Sequence, residues 1–333
     1  MSETSVRWGV LSTANIGRAA VNPAIQASAN GRLVAVASRD GERARAFARA
    51  AGIPRHHGSY EALLDDDEVD AVYIPLPNAL HREWTIRAAQ RGKHVLCEKP
   101  LALDPGECRE MAAAAEEAGV LLMEAFMYRF HPRTERLLAR VREGAIGAVR
   151  SIRSTFTFRL TRPDNIRLDP DLGGGALMDV GCYCVNASRT VAGAEPVEAQ
   201  AFANWTERGV DGELTGALRF EGGLLAHFDC ALTLERREVL EVAGTEGVML
   251  VPSAFLPGSA DAPLHELRGR AGESVETVPG ADEYLLMVEH FGDAVLHGSP
   301  LRYDPHEAER NMRAIAALLR SAREGGRPVP VER

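Results

Sequence analysis

The sequence predicts an α/β first half, a parallel sheet covered by helices on both faces, followed by an α+β half on an open, mostly antiparallel sheet. Three observations predict it. Short apolar runs alternate with helical patterns through the first ~125 residues. Beyond a polar, glycine-rich stretch at 161–175, strand-like runs follow one another across short turn signals. A chain of 333 residues is also long enough for roughly two domains.

The strand-like runs of the first half are 6–12, 32–38, 71–76, 94–97 and 120–123. Helical patterns lie between them at 15–28, 42–51, 60–64, 80–91 and 105–119. Runs apolar on both faces and separated by helices imply a buried parallel sheet. Pro23 should break or restart the first helix, because it lacks an N–H and clashes with the preceding turn. The second half opens with a helix at 132–143, a strand at 148–160, the loop at 161–175 and a helix near 176–191. Strands follow at 197–206, 213–220, 224–234, 237–243 and 247–251, joined at Asp211-Gly212, Glu221-Gly222-Gly223 and Gly244 to Gly247. Helices at 283–296 and 305–322 close the chain. The reading divides it into residues 1–125 and 126–333.

Composition narrows the function classes. A net charge of −9 argues against nucleic acid or an anionic membrane as main partner, since both need a basic face. No run of ~18 apolar residues predicts a membrane span, and the N-terminus shows no apolar signal segment. The five cysteines are odd in number, with no C-x-x-C pair, and read as reduced thiols of a cytoplasmic protein. His94, Cys97 and Glu98 do not read as metal ligands, because successive residues of a strand alternate in face.

The segment Ser12-Thr13-Ala14-Asn15-Ile16-Gly17 stands where a dinucleotide-binding Rossmann fingerprint would fall, yet only Gly17 matches the glycine pattern. Ser12 and Ala14 are small enough to replace the missing glycines imperfectly. The following helix N-terminus offers N–H groups to a phosphate, and Ser12, Thr13 and Asn15 could add side-chain donors. At the end of the second strand a NAD site carries an acid for the ribose 2′-OH; here Ser38 and Arg39 stand there. A hydroxyl beside a guanidinium suits a 2′-phosphate, so NADP is expected over NAD. Pro75, Leu76, Asn78 and His81 end the next main strand, where the crevice of an open α/β sheet lies. Asn78 could equally cap the following helix.

Lysine usage singles out one residue. The chain has only two lysines, Lys93 and Lys99, against 36 arginines. Lysine is a compact charge that can lose its proton; arginine is a planar fork that cannot. Gly92-Lys93 reads as an exposed turn. Lys99 instead sits in HVLCEKP, where an apolar run ends in Glu98, Lys99 and Pro100. Pro100 disfavours helical geometry at Lys99, and Glu98 would line a ribose or balance the lysine. Asp179 and Tyr183 are four apart on the helix after Gly173-Gly174-Gly175, so they share a face. Those glycines would let the backbone approach a ligand closely.

The motifs WGVLSTANIG, ASRD, DAVYIPLPNALH, GKHVLCEKPLAL, LLMEAFMYRFHP and GGGALMDVGCY, in that order, resemble the Gfo/Idh/MocA family over nearly the whole chain. Within it the chain is similar to the NADP-linked D-xylose and trans-dihydrodiol dehydrogenases and to sugar 3-ketoreductases. The resemblance implies hydride transfer between a nicotinamide and a sugar-like alcohol or ketone. It carries the family's lysine onto Lys99 and its downstream pair onto Asp179 and Tyr183. Many members carry His where this chain has Tyr183; a free tyrosine has a pKa of ~10, so the nearby ammonium of Lys99 would have to lower it. Tyr183 would then exchange the substrate proton, Lys99 would hold the reacting oxygen, and Asp179 would orient Lys99 or a hydroxyl. Phe126, Tyr128, Arg129, His131, Asn165 and Arg167 lie on segments that resemble the family's substrate rim, with Phe126 and Tyr128 as an apolar wall. An Arg-rich loop could instead accept an anionic sugar. Two other classes remain: a cofactor-binding sensor without turnover, and an NAD-dependent glycosidase. A half-apolar meander with one uncovered face suggests a homodimer or homotetramer.

Overall fold

The computed structural model describes residues 5–269 and 272–332. The chain forms two compact units. The first comprises the described residues through Met127 together with Asp282–Glu309, and the second Tyr128–Ala281 and the chain from Arg310 onward. A single boundary near residue 126 therefore misses a return of the chain into the first unit.

In the first unit the chain runs β1 (Val6–Leu11), α1 (Asn22–Ala27), β2 (Gly31–Ala37), α2 (Gly41–Ala51), β3 (Arg55–His57), α3 (Tyr60–Leu64), β4 (Ala71–Ile74), α4 (His81–Gln90), β5 (His94–Cys97), α5 (Pro105–Ala118) and β6 (Leu122–Glu124). The six strands are all parallel in the order β3-β2-β1-β4-β5-β6. The order reverses between β1 and β4, the switch point where ligands of such sheets bind. All four residues of β4 are buried, as a strand covered on both faces requires. Helix ends follow local chemistry: Asp40 and Asp104 cap α2 and α5, which stop at the left-handed Gly52 and Gly119. A π-turn at Gly17–Val21 precedes α1, and the helix restarts with Pro23 in its first turn, as expected. β3, three residues long, was not expected.

Lys93 departs from the sequence reading. It is 8% exposed, and its ammonium donates to the carbonyls of Asp66 (2.9 Å) and Val69 (2.7 Å). A compact cation fits between two converging carbonyls where a guanidinium would not.

The second unit holds α6 (Pro132–Arg142), β7 (Val149–Arg159), α7 (Cys182–Ala192), β8 (Pro196–Trp205), β9 (Asp211–Phe220), β10 (Leu225–Ala231), β11 (Thr233–Gly244), β12 (Val248–Pro252), β13 (Ala262–Arg268) and β14 (Gly272–Val278). After α8 (Glu283–His297) in the first unit, α9 (His306–Arg323) leads back to β15 (Val329–Pro330). Nine strands lie in the order β14-β13-β12-β11-β7-β10-β9-β8-β15. Among the described residues, β7 and β10 are the pair of this sheet that runs parallel, and its other pairings are antiparallel. One face is core: Ile152, Phe156, Ala201, Leu214, Leu218, Phe228 and Val242 are at most 4% exposed. Register places Glu241, Arg153, His227, Ala217 and Gln200 in one row of the other face. Arg153 pairs with Glu241, and Arg219 with Glu198, across strands. That face is more polar than the half-apolar meander expected, although Phe202 and Leu225 are 60% and 53% exposed.

Candidate active site

The first unit builds a nucleotide loop on the end of β1. Ser12, in place of a fingerprint glycine, keeps a glycine-like backbone with φ +133°. Its hydroxyl donates to Pro75 O (3.1 Å) and accepts from Ala14 N (3.1 Å), tying the loop to the end of β4. The hydroxyl expected to face a ligand thus has intrachain work. Thr13, Ala14, Asn15 and Ile16 form the turn into the helix, and Asn15 Oδ1 accepts from Arg18 at 2.7 Å. Arg18 adds a cation at this helix start that the motif gave no reason to expect.

At the end of β2, Ser38 is buried and its hydroxyl accepts from Asp40 N (3.2 Å). Asp40 is turned to cap α2 through Glu42 and Arg43 N–H groups. Arg39 is exposed and, with Arg43, acts on the hydroxyl of Tyr60; burial raises the Tyr60 pKa and both guanidiniums oppose that rise. Two arginines around a phenol, with the nearest acid committed to a helix cap, fit a ribose 2′-phosphate better than a bare 2′-OH. Arg43 and Tyr60 were missed because they come from later turns.

Lys99 lies in a segment held at three points. Tyr73 Oη donates to Glu98 Oε1 at 2.6 Å, and Glu98 Oε2 accepts the Lys99 N–H at 3.3 Å. The Lys99–Pro100 peptide is cis, and Pro100 O meets His81 Nδ1 at 3.0 Å. Leu101 N donates to Glu124 Oε1 at 2.8 Å. His81 is fully buried, with Nε2 2.8 Å from Leu76 O, so it brackets the ends of β4 and β5. This corrects its expected place at the cofactor: the ring is buried between Leu76 O and Pro100 O, and burial lowers its pKa, so as a neutral ring it donates to one of the two carbonyls. Pro75 and Leu76 contribute their carbonyls to these ties, and Asn78 opens a short 3₁₀ turn, Asn78–Leu80, before α4. Leu80, the residue before α4, makes no side-chain cap to that helix.

The second unit presents the other candidates. Asp179 lies in a π-turn, Leu177–Gly181, that runs into α7. The regular α-helix assumed for the Asp179–Tyr183 spacing is therefore interrupted; such turns recur at functional sites. Asp179 Oδ2 accepts from Arg167 Nε at 2.6 Å, so Arg167 is a partner within this unit. The Tyr183 ring is 5% exposed and packs 5.4–5.9 Å from the rings of Tyr128, Phe156 and Phe255. Two of the three glycines before the turn serve intrachain packing: a Cβ on Gly174 would fall 2.5 Å from Arg167 O, and one on Gly175 2.1 Å from Asp211 Oδ1.

Several residues expected at a substrate rim point inward. Phe126 and Tyr128 are 0% and 2% exposed, and Tyr128 Oη donates to Asn186 at 2.6 Å. Both are buried side chains, not exposed walls. His131 is buried, and its Nδ1 accepts Arg133 N at 3.0 Å to cap α6. Asn165 Oδ1 caps its own turn through Arg167 N at 3.0 Å. Arg129 is half-buried in the 3₁₀ turn Met127–Phe130.

Comparison with known families decides the assignment. The profile described as "Oxidoreductase family, NAD-binding Rossmann fold" matches residues 6–126, and the "GFO/IDH/MocA C-terminal domain" matches 134–250. The chain belongs to the Gfo/Idh/MocA family. It is 44% identical over 321 residues to a D-xylose 1-dehydrogenase (NADP(+)) of Haloferax volcanii, covering 96% of this chain and 98% of that protein. It is 33% identical to a dTDP-3,4-didehydro-2,6-dideoxy-α-D-glucose 3-reductase of Actinomadura kijaniata, over 97% and 96% of the two chains. A structure of a 3-ketoreductase from Actinomadura kijaniata with NADP and TDP-benzene superposes with a TM-score of 0.91 at 32% identity, over 96% and 98%. An aldose–aldose oxidoreductase from Caulobacter crescentus with glycerol gives 0.89 at 29% identity, over 98% and 99%. The Gfo/Idh/MocA assignment makes the chain an NAD(P)-dependent dehydrogenase or reductase acting on CH–OH groups.

Proposed function

We propose that this Gfo/Idh/MocA enzyme is an NADP-dependent dehydrogenase of a neutral sugar or cyclic diol, of the D-xylose dehydrogenase type. NADP supplies the hydride acceptor or donor. Arg39, Arg43 and Tyr60 take its 2′-phosphate. Lys99, Asp179 and Tyr183 form the reacting set. Tyr183 removes the hydroxyl proton in oxidation and returns it in reduction. Lys99 stabilises the charge that develops on the reacting oxygen. Asp179 fixes Arg167 and a substrate hydroxyl.

One observation carries the choice of a neutral substrate. The cations of the 161–175 loop and its neighbour are each matched by an aspartate: Arg162 by Asp164 (3.2 Å), Arg167 by Asp179 (2.6 Å) and Arg208 by Asp169 (3.6 Å). A loop so neutralised offers an anionic sugar no net attraction. The second reading, reduction of a nucleotide-linked keto sugar, is favoured by likeness to the Actinomadura kijaniata ketoreductase. A sensor without turnover would not need the lysine–aspartate–tyrosine set, and a glycosidase would show no net redox change.

The test follows absorbance of the reduced nicotinamide with NADP or NAD and a panel of aldoses, inositols, cyclic diols and nucleotide sugars. Net reduction of NADP by a neutral pentose or diol supports the proposal. Turnover only with nucleotide sugars favours the second reading, and tight binding without turnover favours a sensor. Full activity in Lys99→Arg would overturn the mechanism. The five buried free thiols suit the cytoplasm proposed as its compartment. Among the described residues no helix is long and apolar enough to cross a membrane. The open sheet face is proposed to pair copies into a homodimer or homotetramer, which light scattering would read.

A further inference from the structure

We propose that Asp211, on β9, is a positioning residue of the reacting helix: its buried carboxylate supplies the N-terminal cap that Gly173-Gly174-Gly175 cannot, and so sets where Asp179 and Tyr183 stand. The inference rests on the assignment of those two residues to the reacting set.

A helix start leaves N–H groups without intrahelical partners, and a side chain beside it ordinarily accepts them. Elsewhere in this chain that side chain is local: Asp40, Asp104 and Asp282 accept N–H groups two or three residues ahead. Before the π-turn at Leu177–Gly181 no side-chain cap comes from the segment itself, since glycines precede it. The acceptor comes instead from 34 residues away: Leu177 N donates to Asp211 Oδ2 at 2.7 Å. Asp211 is 2% exposed, so a solvent-held alternative is not at hand.

The same carboxylate dictates the residue before the turn. Gly175 has φ +122°, and a Cβ there would fall 2.1 Å from Asp211 Oδ1. Gly175 O in turn accepts the Asp179 N–H at 3.0 Å. A short chain of contacts thus runs from Asp211 through Gly175 and Leu177 to the backbone of Asp179.

Ionisation gives the proposal a readable signature. Burial pushes the Asp211 carboxyl up to about 6, while the Leu177 and Ala176 N–H groups and Arg323 of α9 act against it. Cys230 of β10 also feels this carboxylate, and burial holds that thiol well above its ordinary range. Cys230, held above its ordinary range, stays uncharged near pH 6. The negative cap is present above about 6 and neutral below it.

The experiment measures kcat and KM of wild type and Asp211→Asn from pH 5 to 8.5, with Tyr183→Phe alongside. The expected result is a kcat about tenfold lower in Asp211→Asn at pH 8, with KM for NADP within about twofold. The wild-type to variant ratio in kcat should shrink toward one as pH falls through about 6, because wild type then carries an uncharged cap as well. Gly175→Ala, which drives a Cβ against the same carboxylate, should lower kcat similarly and serves if Asp211→Asn does not fold. A pH-independent ratio, or wild-type kcat in both variants while Tyr183→Phe is impaired, overturns this inference and leaves the assignment of Tyr183 intact. Full activity in Tyr183→Phe overturns that assignment and this inference together.

Discussion

Tyr73, fully buried in β4, donates a 2.6 Å hydrogen bond to Glu98, the residue before Lys99. Burial first, then the neighbouring carboxylate, raises the Tyr73 pKa well above its ordinary value, so the phenol keeps its proton and always donates. Glu98 passes the constraint on by accepting the Lys99 N–H. A hydroxyl in the interior of the sheet therefore fixes the backbone that carries the lysine.

Removing it tests that link. Tyr73→Phe leaves one Glu98 oxygen without this donor, at a cost of about 1–3 kcal/mol in stability. The expected kinetic result is a kcat about tenfold lower with little change in NADP affinity. A lowered Tm with unchanged kcat would show that the pair serves folding alone.

Ser12 allows a sharper comparison. Its φ of +133° is strained for any residue but glycine, while its hydroxyl makes two hydrogen bonds. Ser12→Gly relieves about 1–3 kcal/mol of strain and loses about 1 kcal/mol per bond, so its Tm should stay near wild type. Ser12→Ala keeps the strain and loses both bonds, and should be about 2 kcal/mol less stable. Both should bind NADP more weakly, because the loop is no longer tied to Pro75. Titration by fluorescence of the reduced cofactor reads this directly, and equal Tm values for the two variants would contradict the argument.

Cofactor choice rests on Arg39 and Arg43. Arg39→Ala should raise KM for NADP about tenfold and leave KM for NAD within about twofold, since a lost charge-assisted contact to phosphate is worth about 1.5–3 kcal/mol. An equal loss with both cofactors would place Arg39 elsewhere than at the 2′-phosphate.

The fold was legible because parallel strands buried on both faces leave continuous apolar runs, as in 71–76 and 94–97. The hairpin of β13 and β14 was not, because its outer strand exposes every side chain but Val278 and so carries no apolar pattern. Lys99 stood out through the scarcity of lysine. Lys93 was misread because nothing in sequence shows that the carbonyls of Asp66 and Val69 converge on it. Phe126, Tyr128 and His131 were taken for a rim because aromatic and imidazole side chains serve a core as readily as a ligand. Tyr73 and Asp211 were invisible as site residues, since each acts on a partner at least 25 residues away.

One half-buried and one buried histidine predict an acid limb in stability. His94 Nδ1 accepts Leu121 N and His131 Nδ1 accepts Arg133 N, each at 3.0 Å, so both must be neutral at that nitrogen. Burial lowers both pKa values, helped at His131 by Arg133. The unfolded chain then binds more protons than the folded one below about pH 6.5, and stability falls as pH drops through that window. His131→Asn keeps an acceptor in the cap and cannot titrate there. Its Tm should decline less than wild type between pH 7 and pH 5; an identical decline would show that His131 is not one of the groups responsible.

Asp211 works in the opposite direction. Its folded pKa is raised from 3.8 to about 6, so the folded chain binds the proton more tightly and gains stability as pH falls from about 6 toward 4. At neutral pH the ionised carboxylate costs on the order of 3 kcal/mol relative to its protonated form. Asp211→Asn should therefore be more stable than wild type at pH 7.5 by up to about this amount, with the gain vanishing near pH 4. Denaturant melts at the two pH values measure it. The variant would then be at once more stable and slower, which a purely structural residue is not. A less stable Asp211→Asn at pH 7.5 would mean that the charge helps hold the fold together.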